Sequence, residues 1–525
     1  MNALQHLRTP GDVFRINASR FAGKPAVESL DGRSSVTFDE LNTRVNRLNN
    51  AVGALGLTKG DRVAILSKNR PEYLEVFGLA KSGIVIVPLN WRLASAELER
   101  LARHSAPRIL IADAAYQQEA ERLRASVPGI EHLVLLDGAT GATYEALLAS
   151  APAAEPDVHV DPDDLLCLIY TSGTTGDPKG VAVTHAGAIG NCLVAVQDVL
   201  GLRETDRTMA VMPLFHAGGM WYHLFPSFAA GCSTLLLSEF DPATVLAQLQ
   251  ARRITNVHLV PTMIGALLAH PSAAQTDLKA LRLIFYAASS MPGELLLRAL
   301  RLFQQSGFVQ SYGSTEAGII TVLTPTDHRL ALAKGSEQLL SSCGTPLPGR
   351  EVRIVDDVGV ELPVGVVGEV EVRSPHMMRG YWNDESATRK LLNNGWLKTG
   401  DLARLDPRGY LSIVDRKNDM VITGGENVYP TEVEAFLYRD PDVLEASVFG
   451  VPDPRWVERV VAAVVLRPHA AVSAEELIRR LRVHLAPYKC PKAIYLTDSL
   501  PKGPAGKVLR KELRRRYASR SDTPT

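Results

Sequence analysis

Short apolar segments alternate with amphipathic stretches over the first three hundred residues, and this alternation constrains the fold more than any other feature. The segments are apolar, strand-length runs at 62–66, 84–87 and 108–112 and helical patterns at 37–55 and 94–104. The same alternation resumes from 165 to about 325. Strands that alternate with helices predict layered α/β structure, in which helices cover the faces of the sheets.

A β-rich pattern replaces the alternation from about residue 343 to 414. Gly, Pro and Val dominate there, the apolar runs are short, and no long helical pattern is evident. This composition predicts a small β-rich subdomain. An Ala/Pro-rich stretch at 149–156 predicts a linker.

The last hundred residues have a different organisation. Thr431 and Glu434, preceded by Pro430, form the pattern of a capping box and predict that a helix starts with Thr431 as its cap. Further βα units and a basic tail follow. Because 525 residues are too many for one core, we expect two to four domains. The patterns along the chain indicate layered α/β subdomains, a small β-rich subdomain and a smaller α+β region at the C-terminus.

Charge and cysteine usage exclude several classes of protein. Lys+Arg and Asp+Glu both number 57, so no net charge favours nucleic acid or an anionic membrane. The five cysteines are scattered without a CxxC pair, which argues against a zinc site or a disulfide framework and fits a reducing cytosol. The N-terminus lacks a signal-peptide core, and no apolar run approaches the ~20 residues that span a bilayer. We therefore expect a cytoplasmic protein without a membrane span or a nucleic-acid partner.

The segment at 170–180, YTSGTTGDPKG, is the strongest chemical signal in the chain. Its hydroxyls, its glycines and the closing cation of Lys179 can turn N–H groups, hydroxyls and a positive charge onto a phosphate-rich ligand. It differs from the usual P-loop, because Pro178 precedes and Gly180 follows the lysine and a helix cannot start there. Apolar runs at 165–170 and 181–184 predict flanking strands. Taken alone, the segment also fits a plain Gly/Thr-rich turn.

Three further segments point to nucleotide chemistry; they read QSYGSTEAG, GWLKTGD and PKGPAGK. In the first, Tyr312 can stack on a purine, and Glu316 suits Mg²⁺, which prefers oxygen ligands. In the second, Asp401 can accept hydrogen bonds from a ribose diol, although it also fits a turn cap. In the third, prolines and glycines hold Lys507 on a loop from which it can reach a phosphate site.

In this order and spacing, the four segments resemble those of the adenylate-forming superfamily, which includes acyl-CoA synthetases, adenylation domains and firefly luciferase. The resemblance covers about residues 10–515. It implies two domains: a large N-terminal adenylation domain, 1–417, that binds the acyl group and ATP, and a smaller, mobile α+β C-terminal domain, 418–525, that carries the catalytic lysine. It also implies a two-step reaction: a carboxylate attacks the α-phosphate of ATP to give acyl-AMP and pyrophosphate, and a thiol, usually that of coenzyme A, then displaces AMP. We therefore expect an AMP-forming acid–CoA ligase.

The resemblance assigns roles to individual residues. Lys507 would bridge the carboxylate and the α-phosphate, Thr315 would touch that phosphate, and Glu316 would bind Mg²⁺. His216 would act as a gate between the acyl pocket and the thiol tunnel, although a lone histidine among apolar residues also fits simple packing. The implied ATP-binding residues are Thr171, Ser172, Gly173, Thr174, Thr175, Gly176, Lys179, Tyr312, Asp401 and Arg416.

The C-terminal region would supply the thiol site and the pivot. The residues implied at coenzyme A are Gly424, Gly425, Trp456 and Lys492. The pivot, usually Asp or Lys, is here Asn418, which tolerates unusual backbone angles but lacks the charge. Cys490 stands where an arginine that contacts coenzyme A can occur. The basic tail at 507–520 is interpreted as a solvated helix, with contact to coenzyme A phosphates as the alternative.

The expected acyl pocket is lined by short stretches without Lys or Arg, which argues against a second carboxylate on the substrate. The lining residues that the resemblance implies are Trp221, Tyr222, Ala287, Ala288, Ser289, Gly313, Gly318 and Ile319. Two alanines replace glycines common at 287–288 and should narrow the pocket floor, while Trp221 and Tyr222 add bulk. We predict a compact apolar acid, either aromatic or short-to-medium aliphatic.

Two other functions remain open at this stage. The enzyme could load a carrier-protein pantetheine arm in place of coenzyme A, or stop at acyl-AMP. A catalytically inactive paralogue that serves as a nucleotide-binding scaffold is the second alternative, against which the intact Lys179, Glu316, Asp401, Arg416 and Lys507 argue. The oligomeric state, monomer or homodimer, is left open.

Overall fold

Within the residues that the structure describes, four β-sheets organise the chain, with helices against their faces. The computed structural model describes residues 7–30, 32, 35–137, 143–171, 179–289, 291–332, 337–468, 470–503 and 508–518. The segments predicted at 172–176 and at Lys507 lie outside these ranges. The fold class predicted from the sequence, layered α/β structure with a β-rich part and a smaller C-terminal α+β part, is confirmed.

The largest sheet has nine strands and a parallel centre. In spatial order its strands are Thr345–Pro346, Gly318–Leu323, Gly307–Ser314, Leu283–Tyr286, Asn256–Leu259, Arg207–Ala210, Ser233–Leu236, Pro25–Ser29 and Ser35–Thr37. The central strands are short and largely buried on both faces, as expected for parallel strands covered by helices on each side. Its antiparallel end, Gly307–Ser314 paired with Gly318–Leu323, bears one of the segments with predicted chemistry.

A second sheet has seven strands and ends at the phosphate-loop segment. In spatial order its strands are Gly380–Tyr381, Lys179–Thr184, Leu165–Thr171, Val85–Pro88, Arg62–Leu66, Ile109–Ala112 and His132–Leu135. Leu165–Thr171 and Lys179–Thr184 pair in antiparallel register, with Thr171 opposite Lys179. The predicted strands on both sides of the 170–180 segment are therefore confirmed, and they bring its two ends together.

The predicted β-rich region forms a five-stranded antiparallel sheet. Its strands are Glu351–Val355, Gly368–Arg373, Trp396–Leu405, Leu392–Asn393 and Leu411–Arg416. Two short strands of the same region, Thr345–Pro346 and Gly380–Tyr381, join the nine- and seven-stranded sheets instead. The β-rich subdomain is therefore tied to both large sheets by main-chain hydrogen bonds.

The C-terminal region has a five-stranded sheet of its own. Its strands are Glu426–Val428, Val421–Thr423, Val457–Leu466, Val443–Asp453 and Ala493–Leu496. Val443–Asp453 and Val457–Leu466 form a long hairpin whose inner face packs against the helices of this region.

The helices cover the sheet faces. The α-helices are Pro10–Arg20, Phe38–Ala54, Pro71–Phe77, Ser95–Ser105, Gln117–Ser126, Tyr144–Ala149, His185–Val194, Ala217–Gly219, Phe225–Ala229, Pro242–Ala251, Pro261–Ala269, Gly293–Leu302, Pro325–Ala331, Glu385–Leu391, Pro430–Leu437, Ala474–Leu481 and Arg510–Tyr517. Short 3₁₀ turns lie at Gly78–Ser82, Ala114–Tyr116, Ala273–Gln275 and Glu337–Ser341, and π turns at Ala195–Val199 and Met220–Leu224. Within the described ranges, none of these helices combines the length and apolar character needed to cross a bilayer.

Local capping decides some helix starts and fails to decide others. The helix Phe38–Ala54 begins after Thr37, whose hydroxyl accepts from Glu40 N while the Glu40 carboxylate accepts from Thr37 N. The capping box predicted at Thr431 is wrong. The helix begins at Pro430, so Thr431 lies inside its first turn. The backbone N–H of Thr431 donates to the Asp415 carboxylate at 2.8 Å, so a remote carboxylate satisfies this donor in place of a local cap.

The linker predicted at 149–156 lies against the helix Phe38–Ala54 along much of its length. Asn50 donates to the carbonyls of Pro152 and Ala154, and the Lys81 ammonium binds the Glu155 carboxylate at 2.8 Å. The Lys81 side chain is fully buried, and burial lowers its pKa to about 8. The segment is therefore held in place rather than free to swing.

Buried neutral histidines predict a loss of stability in mild acid. Burial lowers the pKa of both His185 and His223 to about 4, whereas an unfolded histidine titrates near 6.5. Between these two pKa values each histidine binds a proton in the unfolded chain but not in the native chain. The free energy of unfolding therefore falls as the pH falls from 7 towards 4. At pH 5 each of the two histidines should lower the free energy of unfolding by about 2 kcal/mol relative to pH 7.

The measurement is the free energy of urea unfolding at pH 7 and pH 5. His223→Gln should show a smaller difference between the two pH values than the wild type, and replacement of the exposed His159 by Gln should not change it. If the free energy of unfolding changes equally between pH 7 and pH 5 in His223→Gln and the wild type, buried neutral His223 is not a source of the acid sensitivity.

Candidate functional site

Glu316 lies at the meeting point of the two large sheets. It occupies the turn between Gly307–Ser314 and Gly318–Leu323, next to Thr315. Its Oε1 accepts from the Tyr381 hydroxyl at 3.1 Å and, more weakly, from Thr171 Oγ1 at 3.4 Å. The ammonium of Lys179 lies 4.8 Å from the Tyr381 ring centre. A carboxylate, two hydroxyls and a cation thus surround the two ends of the 170–180 segment.

Tyr381 is a member of this group that sequence reasoning missed. It belongs to a two-residue strand at the edge of the seven-stranded sheet, paired with Val181. Burial, followed by the neighbouring Glu316 charge, raises the pKa of the Tyr381 hydroxyl, so it stays protonated as a donor. The only sequence signal is the aromatic pair Tyr381-Trp382 after Gly380, which is too short to indicate a site.

A second cluster joins three of the residues predicted to bind adenosine. The Asp401 carboxylate accepts from the Tyr312 hydroxyl at 2.7 Å and pairs with Arg416 Nε at 2.9 Å. Asp401 and Arg416 are register partners on adjacent strands. Burial and the Asp401 charge raise the pKa of Tyr312 well above its ordinary value. The Asp401 carboxylate is buried and held in place by this pair, while the Arg416 guanidinium is largely exposed. The cluster therefore offers a positive charge to the solvent above a buried carboxylate.

Close backbone approach shapes the hairpin that bears Tyr312 and Glu316. A Cβ on Gly313 would lie 2.2 Å from the Gly318 carbonyl oxygen, so only glycine fits at that point. The strand register shifts between Tyr312 and Gly313. Directly before this shift, the Tyr312 side chain reaches the Asp401 carboxylate.

The predicted acyl segments converge around one apolar cluster. Tyr222 and Ala287 pack against a buried group that includes Phe285 and Ile319, and the Tyr222 hydroxyl donates to the Ser314 carbonyl at 2.9 Å. Trp221 is 3 % exposed, with its ring against Phe77 and Phe225 in the core. Ser289 is exposed, and so is Ala288, which has φ +76°, a conformation strained for any residue with a Cβ.

Arg350 is a buried cation close to these segments that sequence reasoning also missed. It is 7 % exposed and donates to the Ile319 carbonyl at 3.1 Å and the Pro348 carbonyl at 3.1 Å. Its other terminal nitrogen lies 3.0 Å from His376 Nδ1. Because protein groups occupy most of its donors, it does not overturn the expectation of an apolar acid.

The C-terminal sheet brings together three of the four residues predicted at coenzyme A. Gly424 N donates to the Trp456 carbonyl at 2.8 Å, and a Cβ on Gly424 would lie 2.8 Å from the Trp456 ring. Gly425 has open space on its Cβ side, and Trp456 is 39 % exposed. Lys492 is exposed, with its N–H on the Val460 carbonyl. Cys490 by contrast is buried in the core of this region and cannot take the place of an exposed arginine.

The predicted pivot is braced by the C-terminal helix. Asn418 is exposed, and its carbonyl accepts from Arg514 at 3.1 Å. The interpretation of the basic tail as a solvated helix is wrong for its inner face. Leu513 and Tyr517 are buried, and Arg510 forms ion pairs with acidic residues on both sides of the pivot, because the amphipathic pattern of 510–517 gives the helix a core face.

The remaining predicted residues are placed as follows. His216 directly precedes the short helix Ala217–Gly219 and is half-buried, and its ring centre lies 4.5 Å from that of Phe215. Ser172, Gly173, Thr174, Thr175, Gly176 and Lys507 lie outside the described residues. The roles assigned from the resemblance stay predictions for all of these positions.

Glu316 fits the requirements of a Mg²⁺ ion. Mg²⁺ keeps several waters and takes one or two carboxylates together with substrate phosphates. One accessible carboxylate flanked by hydroxyls, next to a loop suited to phosphate, meets that description. In the described ranges no group of three or more His, Cys, Asp or Glu forms a site for a metal held by protein alone.

Comparison with known proteins finds two family models on the chain. The model of the AMP-binding enzyme matches residues 14–382, and that of the AMP-binding enzyme C-terminal domain matches residues 432–507. The feruloyl-CoA synthase of an Amycolatopsis species is 38 % identical over 93 % of this chain and 95 % of its own length. The fatty acid–[acyl-carrier-protein] ligase ScoC of Streptomyces coeruleorubidus is 37 % identical over 98 % of both chains.

Among solved structures, the anthranilate CoA ligase AuaEII in complex with anthranoyl-AMP superposes with a TM-score of 0.89. It is 30 % identical and covers 97 % of each chain.

Proposed function

The chain belongs to the AMP-binding enzyme family, and on that premise we propose that it is an ATP-dependent acid–CoA ligase for a compact apolar acid, preferentially an aromatic one. The observation that supports this most strongly is the pair of clusters around Glu316 and Asp401. One hairpin carries a residue of each cluster, Tyr312 in its first strand and Glu316 in its turn. This arrangement suits one nucleotide, with its ribose at Asp401 and its phosphates at Glu316.

In the first half-reaction, a carboxylate oxygen of the acid attacks the α-phosphorus of ATP, the bond to the β-phosphate oxygen breaks, and pyrophosphate leaves. Both reactants are anions, so their approach must be screened. We assign Thr171, Lys179 and the loop between them to the outer phosphates, Thr315 to the α-phosphate and Lys507 to the bridge between both reactants. Mg²⁺ at Glu316 would supply charge neutralisation on the phosphates.

In the second half-reaction, the thiol of coenzyme A loses its proton, its sulfur attacks the acyl carbonyl and AMP leaves. We assign Gly424, Gly425 and Trp456 to the pantetheine arm, because bare backbone beside an exposed ring allows a narrow chain to pass. These residues and Lys507 belong to the same small domain, so we propose that it turns about Asn418 between the two steps.

The aromatic preference has two supports. Two of the similar proteins, feruloyl-CoA synthase and anthranilate CoA ligase, are named for aromatic acids. The apolar cluster that unites Tyr222, Ala287 and Ile319 contains the ring of Phe285, which suits a flat, apolar substrate.

A second candidate keeps the adenylation and changes the acceptor. The match to ScoC, named as a fatty acid–[acyl-carrier-protein] ligase, favours it. Trp456, with its accessible ring beside Gly424, would suit a pantetheine arm on either acceptor.

The test is AMP release from the purified full-length protein with ATP, Mg²⁺ and a panel of aromatic and C2–C18 acids, with and without coenzyme A. We expect AMP release that depends on coenzyme A and is fastest with an aromatic acid. Best turnover on C16–C18 acids would reject the substrate class. A rate that does not respond to coenzyme A would favour the carrier acceptor, and no AMP release with any acid would reject the proposal.

Tyr381→Phe should slow adenylation by about tenfold, because it deletes a hydrogen bond to a charged carboxylate while the ring beside Lys179 stays. The measurement is pyrophosphate release at saturating acid. Tyr410→Phe is the matched control, since it deletes a tyrosine–carboxylate bond to Asp327 away from the site. Equal rates for the two variants would show that Tyr381 plays no part.

A further inference from the structure

A strained valine lies at the tip of the long hairpin of the C-terminal region. Val457 has φ +72°, in the left-handed region, where a β-branched residue is an outlier. In the described ranges the other non-glycine residues with positive φ are not β-branched. Two of them, Asn383 and Asn394, are of a type that tolerates this region, and Ala106 ends the helix Ser95–Ser105. Val457 therefore needs an explanation that these positions do not.

The hairpin turn accounts for the backbone angle of Val457 but not for its side chain. Asp453 and Val457 are register partners, and the Asp453 carboxylate accepts from the N–H groups of Arg455 and Trp456 across the turn. A left-handed residue at such a position is ordinarily glycine, which adopts the conformation without strain. The turn would form at least as well with glycine, so the valine side chain makes it less stable.

Packing within the protein does not compensate this loss. Val457 is 70 % exposed, so its isopropyl group stays largely in contact with water. Burial stabilises a side chain roughly in proportion to the apolar area that is removed from water, and little is removed here. Strained residues cluster at positions that hold a ligand, where binding supplies the compensating contact. A strained and exposed apolar side chain has this character.

Val457 lies beside the residues proposed for the pantetheine arm. Its partner on the neighbouring strand is Thr423, which directly precedes Gly424. Gly424 N donates to the Trp456 carbonyl at 2.8 Å, and the Trp456 side chain is 39 % exposed. Ile422, on the same strand as Thr423, is 45 % exposed. Three accessible apolar side chains, those of Ile422, Trp456 and Val457, thus form an apolar strip next to bare backbone.

The pantetheine arm carries a group that matches this apolar strip. Most of the arm consists of amides and short methylene links, but its pantoyl unit bears two methyl groups on one carbon. These methyls are the bulkiest apolar part of the arm. When they cover an isopropyl group, apolar area of both partners leaves the water, which favours binding.

From these observations we infer that Val457 is a further binding residue for the thiol substrate and that its isopropyl group packs against the two methyls of the pantoyl unit. The inference rests on the proposed ligase function and adds a contact that acts in the second half-reaction alone. Coenzyme A and a carrier-protein arm share the pantoyl unit, so the contact serves either acceptor.

The test measures kcat/KM for three thiols at saturating ATP and acid, in the full-length wild type, Val457→Gly and Val457→Ala. Coenzyme A and pantetheine contain the pantoyl unit, and N-acetylcysteamine lacks it. With the first two thiols both variants should lose about tenfold, mainly through a higher KM, as expected when one isopropyl group is no longer buried. With N-acetylcysteamine, and in pyrophosphate release during the first half-reaction, both variants should match the wild type.

Ala106→Gly is the matched control, since it relieves a left-handed alanine with φ +47° at a helix end of the N-terminal region. Glycine suits both positions, so Ala106→Gly and Val457→Gly should each fold and unfold at a urea concentration no lower than that of the wild type. Only Val457→Gly should lose kcat/KM for coenzyme A. A gain in stability together with a loss of thiol binding is not expected of a residue that serves the fold alone.

The outcomes separate the two proposals. If the wild type releases no AMP with any acid, or releases AMP at a rate that no thiol increases, the proposed function is overturned and the Val457 contact with it. If thiols accelerate AMP release but the Val457 variants keep the wild-type kcat/KM for coenzyme A and pantetheine, the role of Val457 alone is overturned. An equal loss with N-acetylcysteamine overturns it as well.

Discussion

Replacing Lys507 with alanine should slow acyl-AMP formation by about 10²–10³-fold, the cost of removing one group that stabilises developing charge in a transition state. The carboxylate and the triphosphate repel each other, and the proposed role of Lys507 is to neutralise both at the moment of attack. Release of AMP from supplied acyl-AMP by coenzyme A should largely persist, because the residues proposed for that step, Gly424, Gly425 and Trp456, lie on another segment.

Lys502 provides the matched control for this variant. It lies in the same PKGPAGK segment, but its ammonium is committed to the Glu445 carboxylate at 2.7 Å. Lys502→Ala should adenylate at close to the wild-type rate. Pyrophosphate release and single-turnover thioester formation would be measured separately, and an equal loss of both half-reactions in Lys507→Ala would contradict the division of labour between the two steps.

Replacing Arg510 with alanine should destabilise the C-terminal region by about 3–5 kcal/mol, as expected when one partner of a buried ion pair is removed. The Arg510 side chain is 18 % exposed, with its guanidinium 2.8 Å from Glu434, 3.1 Å from Asp419 and 3.5 Å from Asp415. Without it, Glu434 and Asp415 lose this cation, and Asp419 keeps the guanidinium of Arg514 at 3.4 Å.

Urea unfolding and limited proteolysis near residue 418 would measure this loss. Arg516→Ala is the control, since Arg516 pairs with Glu512 on the exposed side of the same helix at 3.3 Å. Arg510→Lys should recover part of the stability, because it restores the charge without the bidentate geometry. Identical unfolding of Arg510→Ala and Arg516→Ala would show that the network is not important.

Elements decided by neighbouring residues were the ones that the sequence predicted well. The helix that starts after Thr37 depends on a hydroxyl and a carboxylate three residues apart, and the strand Arg62–Leu66 on its own apolar run. The start of the helix at Pro430 was predicted wrongly, because Asp415, on the far side of the proposed pivot, binds Thr431 N. A capping signal is reliable only where no remote acceptor competes with it.

The candidate site shows the same limit. Motif order and a family resemblance identified Tyr312, Asp401 and Arg416, and the structure brings these three together. Tyr381 and Arg350 escaped notice, because each acts through a partner more than thirty positions away: Tyr381 through Glu316 and Arg350 through Ile319.

The strand order of the nine-stranded sheet has a consequence for synthesis on the ribosome. Pro25–Ser29 pairs in the finished sheet with Ser233–Leu236, which is made about two hundred residues later. At roughly 5–20 residues per second, the first strand waits about 10–40 s for its partner. During that interval its edge is open to other chains. Conditions that slow translation between these two segments should therefore lower the yield of folded protein more than the same delay placed after residue 381, when all strands of both large sheets have been made.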